Sequence, residues 1–162
     1  MGKNRKLIAI VGPSASGKTT LANKLAEILG KAETVIICQD QYYNDWSRLP
    51  FKEREKINFD KPSAFDFVLL QKQLKELNKG KVVLAPRYSY RLHKRIKRKT
   101  KINPKNYIIV EGLLALHKKS IRDLFDLKIY IDCNVKTSLI RRMKRDLKHR
   151  CETIISVRNR YF

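Results

Sequence analysis

The stretch Gly12-Pro13-Ser14-Ala15-Ser16-Gly17-Lys18-Thr19 decides how this chain folds. It matches the pattern G-x-x-x-x-G-K-[ST] at every fixed position, and small residues there let backbone N–H groups surround phosphate oxygens. A plain Gly-Ser turn has a similar composition. The flanking sequence favours the phosphate loop, because the apolar run 7–11 predicts a buried strand and an amphipathic helix pattern begins at Lys18.

Phosphate binding is the chemistry that this loop predicts. The helix after the loop points the positive end of its dipole at the same anion. We expect Lys18 to reach the β- and γ-phosphates of a nucleotide and Thr19 to supply a hydroxyl to Mg²⁺. The predicted cofactors are therefore ATP, as the phosphate donor, and Mg²⁺, with residues 12–19 as the nucleotide-binding segment.

Strand and helix patterns alternate along the rest of the chain, which is typical of an α/β fold with a mostly parallel sheet. Further strands are predicted at residues 34–38, 81–85, 108–110 and 127–131, with Pro86 ending the strand at 81–85. Helices are predicted from Lys18 to Gly30, from Pro62 to Gly80, and from about Val135 to about His149 behind an Asn134 cap. The stretch 87–101 predicts a hairpin or loop.

Two apolar stripes define the buried faces that these helices are expected to have. They comprise Leu21, Leu25, Ile28 and Leu29 in the first helix, and Phe67, Leu70, Leu74 and Leu77 in the second. The expected architecture is a three-layer P-loop fold in a single domain, with a short β-hairpin insertion and a basic lid helix.

The composition narrows the class of protein. The chain has 162 residues and is 43% hydrophobic, so it is long and apolar enough to bury a core. Its net charge of +22 favours an acidic partner such as nucleic acid or a small polyphosphate. Its apolar runs are too short to cross a membrane. Its 3 cysteines show no metal-binding spacing and suit reduced thiols, so we expect a cytoplasmic protein.

Two acidic residues follow predicted strands at the edge where ligands bind in open α/β sheets. Asp40 follows the run 34–38 and is a candidate base for an incoming hydroxyl, although a turn or helix cap is the alternative. Glu111 follows the run 108–110 in a Walker-B-like position. It is a candidate Mg²⁺ ligand, directly or through water, with Thr19 and Asp40 as the other candidates.

Basic residues concentrate at 91–101 and in the helix after Asn134. Most such runs are solvated faces or surfaces with nonspecific affinity for polyanions. Arg142 and Arg145 lie three residues apart on one helix face, where both guanidinium groups can clamp a transferring phosphoryl group. With the phosphate loop present, we favour a lid over the phosphates for this helix.

One aromatic group lies within the predicted hairpin. His93 follows Tyr88 and Tyr90, and the three side chains fit either a stacking pocket for a base or the edge of a hairpin. Composition alone leaves both interpretations open.

Six segments taken in chain order resemble the uridine kinase (uridine–cytidine kinase) family of P-loop nucleoside kinases. Each segment alone is weak evidence, but the order is specific. The segments are residues 12–19, 39–43, 58–66, 86–95 and 110–112, and Arg141-Arg142 with Arg145-Asp146.

The resemblance implies transfer of the ATP γ-phosphoryl group to the 5′-hydroxyl of uridine or cytidine, which makes UMP or CMP in pyrimidine salvage. It implies a catalytic set of Asp40, Lys18, Arg142 and Arg145. The implied nucleotide site comprises residues 12–19 and Arg150, with Thr19 and Glu111 at the metal. The implied nucleoside site comprises Asp40, Tyr43, Phe59, Asp60, Tyr88, Tyr90, His93 and Arg142, with Asp60 on the ribose.

Some positions depart from the family pattern. Ser63 and Ser89 each stand where the family has Asp, and Cys151-Glu152 stands where it has Gly-Arg. The segment 158–162 resembles the middle of a longer family helix. The family continues from there with an edge strand and a final helix around adenine, so we expect this chain to lack those two elements.

Two other interpretations remain at this point. Another small-molecule kinase of the same superfamily, such as a phosphoribulokinase-like or pantothenate-kinase-like enzyme, shares the loop, although the residues Tyr88, Tyr90 and His93 favour a pyrimidine. A catalytically impaired P-loop protein that binds nucleic acid would explain the basic second half. We expect a nucleoside and ATP as partners and no membrane; nucleic acid is less favoured, and a homo-oligomer is compatible with the sequence.

Overall fold

The computed structural model of the chain describes residues 5–149. Its strands are β1 (Lys6–Val11), β2 (Thr34–Cys38), β3 (Val83–Ser89), β4 (Lys94–Ile102), β5 (Tyr107–Gly112) and β6 (Leu127–Tyr130). Its α-helices are α1 (Lys18–Leu29), α2 (Phe51–Glu55), α3 (Phe67–Asn78), α4 (Lys119–Arg122) and α5 (Val135–His149). Single 3₁₀ turns occupy Gln39–Tyr42 and Pro62–Ala64.

A four-stranded parallel sheet in the order β2-β5-β1-β6 forms the centre of the fold. Alternate residues of β1 point to opposite faces, with Leu7 and Ala9 in one apolar cluster and Ile8 and Ile10 in the other. The α1 helix covers one face, and α3 contributes to the cluster on the other. The predicted three-layer α/β fold is therefore confirmed.

The α1 helix meets the sheet through small side chains. Ala22 and Ala26 are buried, and Leu21, Leu25 and Leu29 are partly buried around them. The prediction that Ile28 belongs to this face is wrong, because its side chain is 81% exposed. At 100° per residue Ile28 lies on the far side of the helix from Ala26, so the alanines rather than the larger residues define the centre of the packed face.

The α3 helix begins later in the chain than the position of Pro62 predicts. Pro62 starts a separate 3₁₀ turn, and Asp66 is the N-cap of α3, since its carboxylate accepts a hydrogen bond from the Leu69 N–H at 2.9 Å. The predicted start at Pro62 is therefore wrong. The predicted stripe is confirmed, because all of its four members are buried. They are Phe67, Leu70, Leu74 and Leu77.

The β3 and β4 strands pair antiparallel as a hairpin separate from the parallel sheet. The predicted hairpin is confirmed, but the prediction that Pro86 ends the strand is wrong, because β3 runs through it to Ser89. The register shifts between Ala85 and Arg87. Such an irregularity accommodates proline, which has no N–H to donate to the ladder.

The carboxyl ends of β1, β2 and β5 lead into the loop 12–17, the turn Gln39–Tyr42 and residues 113–118, respectively. Parallel pairing brings these ends to the same edge of the sheet. Within residues 5–149, no helix has the length and apolar character required to cross a membrane.

Candidate active site

A cavity of about 300 Å³ opens at this edge of the sheet. Its walls come from the phosphate loop, the ends of β2 and β5, the hairpin and α5. The lining residues are Ser14, Ala15, Gly17, Lys18, Thr19, Cys38, Asp40, Tyr43, Asp60, Tyr90, Glu111, Gly112, Leu113 and Arg145.

The loop 12–17 has a backbone that only small residues tolerate. Gly12, Ala15 and Gly17 have φ angles of 151°, 61° and 101°, respectively. A Cβ atom on Gly12 would lie 2.4 Å from the carbonyl oxygen of Ile131, so a side chain there would displace the loop from the residue that follows β6. Positive φ angles placed among residues of ordinary φ turn the backbone N–H groups of a loop toward a common point, which is how such loops bind anions.

Lys18 is held inside the loop that it follows. Its Nζ donates to the carbonyl oxygens of Gly12 at 3.0 Å and Pro13 at 2.6 Å, and the residue is 8% exposed. Burial lowers the pKa of Lys18, while the carboxylates of Glu111 and Asp40 act in the opposite direction. The ammonium group therefore lies between the loop and two carboxylates, where phosphate oxygens would be its strongest ligands.

Glu111 and Thr19 bring two oxygen ligands together. The Thr19 hydroxyl donates to Oε1 of Glu111 at 3.3 Å, and Cys38 hydrogen-bonds with the same carboxyl group. Burial raises the pKa of Glu111, and the nearby Asp40 carboxylate raises it further. Burial also raises the pKa of the Cys38 thiol, which keeps the sulfur protonated beside Glu111.

This pair of oxygen ligands fits Mg²⁺. Among residues 5–149 no group of three or more His, Cys, Asp and Glu side chains could hold a metal ion by itself. Mg²⁺ in phosphoryl-transfer sites typically takes one or two protein oxygens and completes its shell with phosphates and water. Thr19 and Glu111 are hard oxygen ligands beside the loop and therefore match that requirement.

Replacing Glu111 by Gln is expected to stabilise the protein in the absence of divalent ions. The folded-state pKa of Glu111 is raised, so its contribution to stability is present below the unfolded pKa and lost as pH rises through the folded pKa. The neutral amide of Glu111→Gln does not ionise and therefore avoids this loss of stability at higher pH. The free energy of unfolding at pH 7 should rise by an amount on the order of 1 kcal/mol. Urea unfolding across pH measures it.

The matched control is Glu27→Gln, at an exposed glutamate of α1 that pairs with Lys31. It should change the free energy of unfolding at pH 7 by little, because exposed ion pairs contribute little to stability. A Glu111→Gln variant that is less stable than the wild type at pH 7 would contradict the claim that the buried carboxylate of Glu111 lowers the stability of the folded protein.

Asp40 lies in the 3₁₀ turn that ends β2 and points into the cavity. The Tyr90 hydroxyl donates to its Oδ2 at 3.1 Å, so the hairpin orients this carboxylate. The turn itself is fixed to the segment after β5 through Gln39, a fully buried side chain whose Oε1 accepts from the Leu114 N–H at 2.8 Å. Gly112 leaves room for Gln39, because a Cβ there would lie 2.4 Å from the Gln39 Cβ.

A buried aromatic cluster adjoins the cavity. Phe59 stacks on His93 with ring centroids 5.4 Å apart and planes 14° apart, and Tyr43 meets both Phe59 and Tyr88 at 5.0 Å. Tyr43 and Tyr90 reach the cavity surface, whereas Phe59, Tyr88 and His93 form the layer next to it. The hairpin therefore brings Tyr88, Tyr90 and His93 to the side of the site where Tyr43 and Phe59 lie.

The lid arginines form an ionic network and not a bare cationic face. Arg142 is 5% exposed, and its Nη1 donates to Oδ2 of Asp60 at 2.6 Å while its Nε donates to Asp146 at 3.3 Å. Arg145 donates through Nε to Asp146 at 2.7 Å and through Nη2 to the Ser14 hydroxyl at 3.0 Å. The α5 helix thereby contacts both the phosphate loop and the residue predicted to bind ribose.

Most of the predicted site residues thus come together around one cavity. Arg150 and the departures at Cys151-Glu152 and 158–162 lie outside the described residues. Sequence reasoning missed Cys38 as a lining residue and Asp146 as a shared partner of two arginines. A signal for Asp146 existed, because an acidic residue in a strongly basic helix, four positions after Arg142, fits an i,i+4 ion pair.

Comparison with known proteins connects this site to a family. The model of the family described as "Phosphoribulokinase / Uridine kinase family" matches residues 7–162. A uridine kinase of Staphylococcus epidermidis (strain RP62A) is 44% identical over 155 residues, which cover 96% of this chain and 75% of that protein. A uridine kinase of Clostridium tetani (strain Massachusetts / E88) is 44% identical over 161 residues, which cover 99% of this chain and 77% of that protein.

The fold also matches solved kinase structures at low sequence identity. The D-glycerate 3-kinase from Cryptococcus neoformans var. grubii superposes with a TM-score of 0.70 at 17% identity, covering 98% of this chain and 77% of that one. At this identity the similarity concerns the fold alone. One architecture therefore serves phosphate acceptors of different kinds, and the acceptor must be argued from the side chains of the site.

Proposed function

Since this chain belongs to the phosphoribulokinase and uridine kinase family, we propose that it transfers the γ-phosphoryl group of ATP to the 5′-hydroxyl of uridine or cytidine, giving UMP or CMP. The observation that carries this proposal is the convergence of Lys18, Asp40 and Glu111 in one cavity beside the phosphate loop. A cytoplasmic location suits these substrates and the thiols at Cys38 and Cys133, which form no disulfide within residues 5–149.

The phosphate end of the cavity stabilises negative charge. Backbone N–H groups of the loop and of the first turn of α1 would surround the phosphates, and Lys18 and Arg145 add positive charge to the same cavity. Thr19 and Glu111 would hold Mg²⁺, which when bound neutralises charge on the phosphate oxygens. Little covalent chemistry is required of the protein in such a reaction, so positioning and electrostatics provide most of the rate enhancement.

The other end of the cavity prepares the acceptor. Asp40 accepts the proton of the 5′-hydroxyl as the oxygen attacks phosphorus, and the Tyr90 hydroxyl keeps the carboxylate directed at that proton. Asp60 lines the same cavity and offers a carboxylate to the ribose hydroxyls. Tyr43 and Tyr90 then offer aromatic surface in the cavity to a planar pyrimidine, and Phe59, Tyr88 and His93 pack in the layer behind them.

A panel of acceptors tests the proposal. With MgATP, uridine and cytidine are expected to be phosphorylated, whereas purine nucleosides, ribulose 5-phosphate and pantothenate are expected to give at least ~100-fold lower kcat/KM, because a site that hydrogen-bonds one substrate discriminates against acceptors that leave its polar groups unpaired. Coupled detection of ADP with chromatographic identification of the product measures this. Efficient turnover of another acceptor would replace the nucleoside assignment, and no product with any acceptor would overturn the kinase proposal.

A further inference from the structure

Four consecutive polar contacts connect the two ends of the candidate active site through α5. Asp60 contacts Arg142, Arg142 contacts Asp146, Asp146 contacts Arg145, and Arg145 contacts Ser14, at 2.6, 3.3, 2.7 and 3.0 Å, respectively. The first residue lines the nucleoside end and the last lies in the phosphate loop. Asp146 is the central member of this series.

Asp146 divides its carboxylate between the two arginines. It is 2% exposed, its Oδ2 accepts from Nε of Arg142, and its Oδ1 accepts from Nε of Arg145. The donors of a guanidinium group are fixed in one plane, so fixing Nε also fixes the direction of the Nη groups. Asp146 therefore directs one guanidinium toward Asp60 and the other toward Ser14.

Long, flexible arginine side chains need such an anchor to be precise. An unanchored arginine samples many rotamers, and ordering it on substrate binding costs entropy that an ordered arginine has already lost. Displacement of a catalytic group by about 1 Å can lower the rate by about 100-fold. The burial of a carboxylate among two guanidinium groups is a weak source of folding stability, so its geometry deserves a functional explanation.

We propose that Asp146 is a positioning residue for phosphoryl transfer, which holds Arg142 and Arg145 as one preorganised unit between the nucleoside and the phosphates. The proposal rests on the proposed kinase function for its kinetic part. Asp146 contacts no reacting atom, and its effect is transmitted through the two arginines.

Asp146→Asn provides the main test. It keeps the shape of the side chain but removes the charge and one of the two acceptors, so kcat should fall about 10- to 100-fold. Asp146→Glu, which restores the charge, should recover part of that loss. The matched control is Asp123→Asn, at an aspartate that pairs with Lys119 four residues earlier on the exposed α4, at 2.6 Å. It should keep kcat within about 2-fold, since exposed pairs contribute little.

A double-mutant cycle separates positioning from a purely structural role. If Asp146 acts through Arg145, adding Arg145→Ala to Asp146→Asn should lower kcat by much less than Arg145→Ala does in the wild type. Multiplicative losses in kcat, or a kcat per folded molecule equal to that of Asp123→Asn, would overturn the proposal. Should Asp146→Asn fail to fold, Asp146→Glu provides the test, because it keeps the charge but moves the carboxylate by one methylene, and a kcat equal to that of the wild type would contradict the proposal.

The arginine Nε–H signals in ¹⁵N NMR test the geometry without turnover. In the wild type, Arg142 and Arg145 should each show a slowly exchanging, shifted Nε–H signal, which Arg142→Ala and Arg145→Ala assign, and Asp146→Asn should return both signals toward solvent-exposed values. If the wild type phosphorylates no nucleoside but shows these signals, the kinase proposal fails while the anchoring geometry stands. If it is active and the signals are unaffected by Asp146→Asn, the positioning role fails.

Discussion

Replacing Asp40 by Asn is expected to lower nucleoside phosphorylation by at least ~100-fold, because a positioned base typically contributes that much or more. The amide keeps the size of the side chain and can still accept a hydrogen bond from Tyr90, whose hydroxyl lies 3.1 Å from Oδ2 of Asp40. It cannot accept the proton of the 5′-hydroxyl. Steady-state kcat with saturating uridine and MgATP measures the effect.

The same variant should bind ATP normally. Asp40 lies at the end of β2, and the phosphate loop contacts of Lys18 do not involve it. We therefore expect the affinity for a non-hydrolysable ATP analogue to change by less than about 2-fold. Asp45→Asn, at an exposed aspartate of the following loop, is the matched control and should keep full activity. Turnover retained by Asp40→Asn would show that another group takes the proton.

Replacing Lys18 by Ala is expected to damage nucleotide binding itself. The ammonium group is buried in the loop, and a hydrogen bond to a charged group contributes about 1.5–3 kcal/mol, which corresponds to about 10- to 150-fold in affinity. The carbonyl oxygens of Gly12 and Pro13 also lose their donor, so the loop conformation is less well defined. Isothermal titration with the ATP analogue measures the loss.

A lysine on the same helix provides the control for that prediction. Lys24 is exposed on α1, so Lys24→Ala removes an equal charge without touching the loop. It should bind the analogue with wild-type affinity at moderate salt. Equal losses in the two variants would indicate a general charge effect on this very basic protein and would contradict a specific role for Lys18.

The phosphate loop and its surroundings could be predicted from sequence because local patterns specify them. The order of glycines determines a backbone with φ angles above zero, and the apolar run before it requires a buried strand. Once the strands are parallel, Asp40 and Glu111 must reach the same edge of the sheet. Each of these inferences depends on residues that are close in the chain or in the sheet.

Other features depend on contacts that no local pattern contains. Pro62 is typical of a helix start, yet α3 begins only after Asp66, because the Asp66 carboxylate accepts the hydrogen bond that caps the helix. Pro86 normally ends a strand, but the register shift beside it lets β3 continue against β4. Ile28 is exposed because α1 packs on the sheet through the small side chains of Ala22 and Ala26, which lie on another face of the helix.

The partners of the charged side chains were the least predictable part of the site. Arg142 and Arg145 were expected to clamp phosphate, and helix spacing correctly puts them on one face. Their contacts with Asp60 and Ser14 join residues more than eighty positions apart in the chain. Such pairs arise only when the tertiary fold is complete, so sequence indicates the cations but not the geometry in which they are held.

The most direct test of the account follows the γ-phosphoryl group itself. In a ³¹P NMR time course with uridine and MgATP, the loss of the γ-phosphate signal should be matched by a monoester signal that coincides with authentic uridine 5′-monophosphate. Omission of uridine should leave ATP intact. Release of the phosphoryl group as inorganic phosphate at the same rate with and without uridine would contradict a nucleoside kinase.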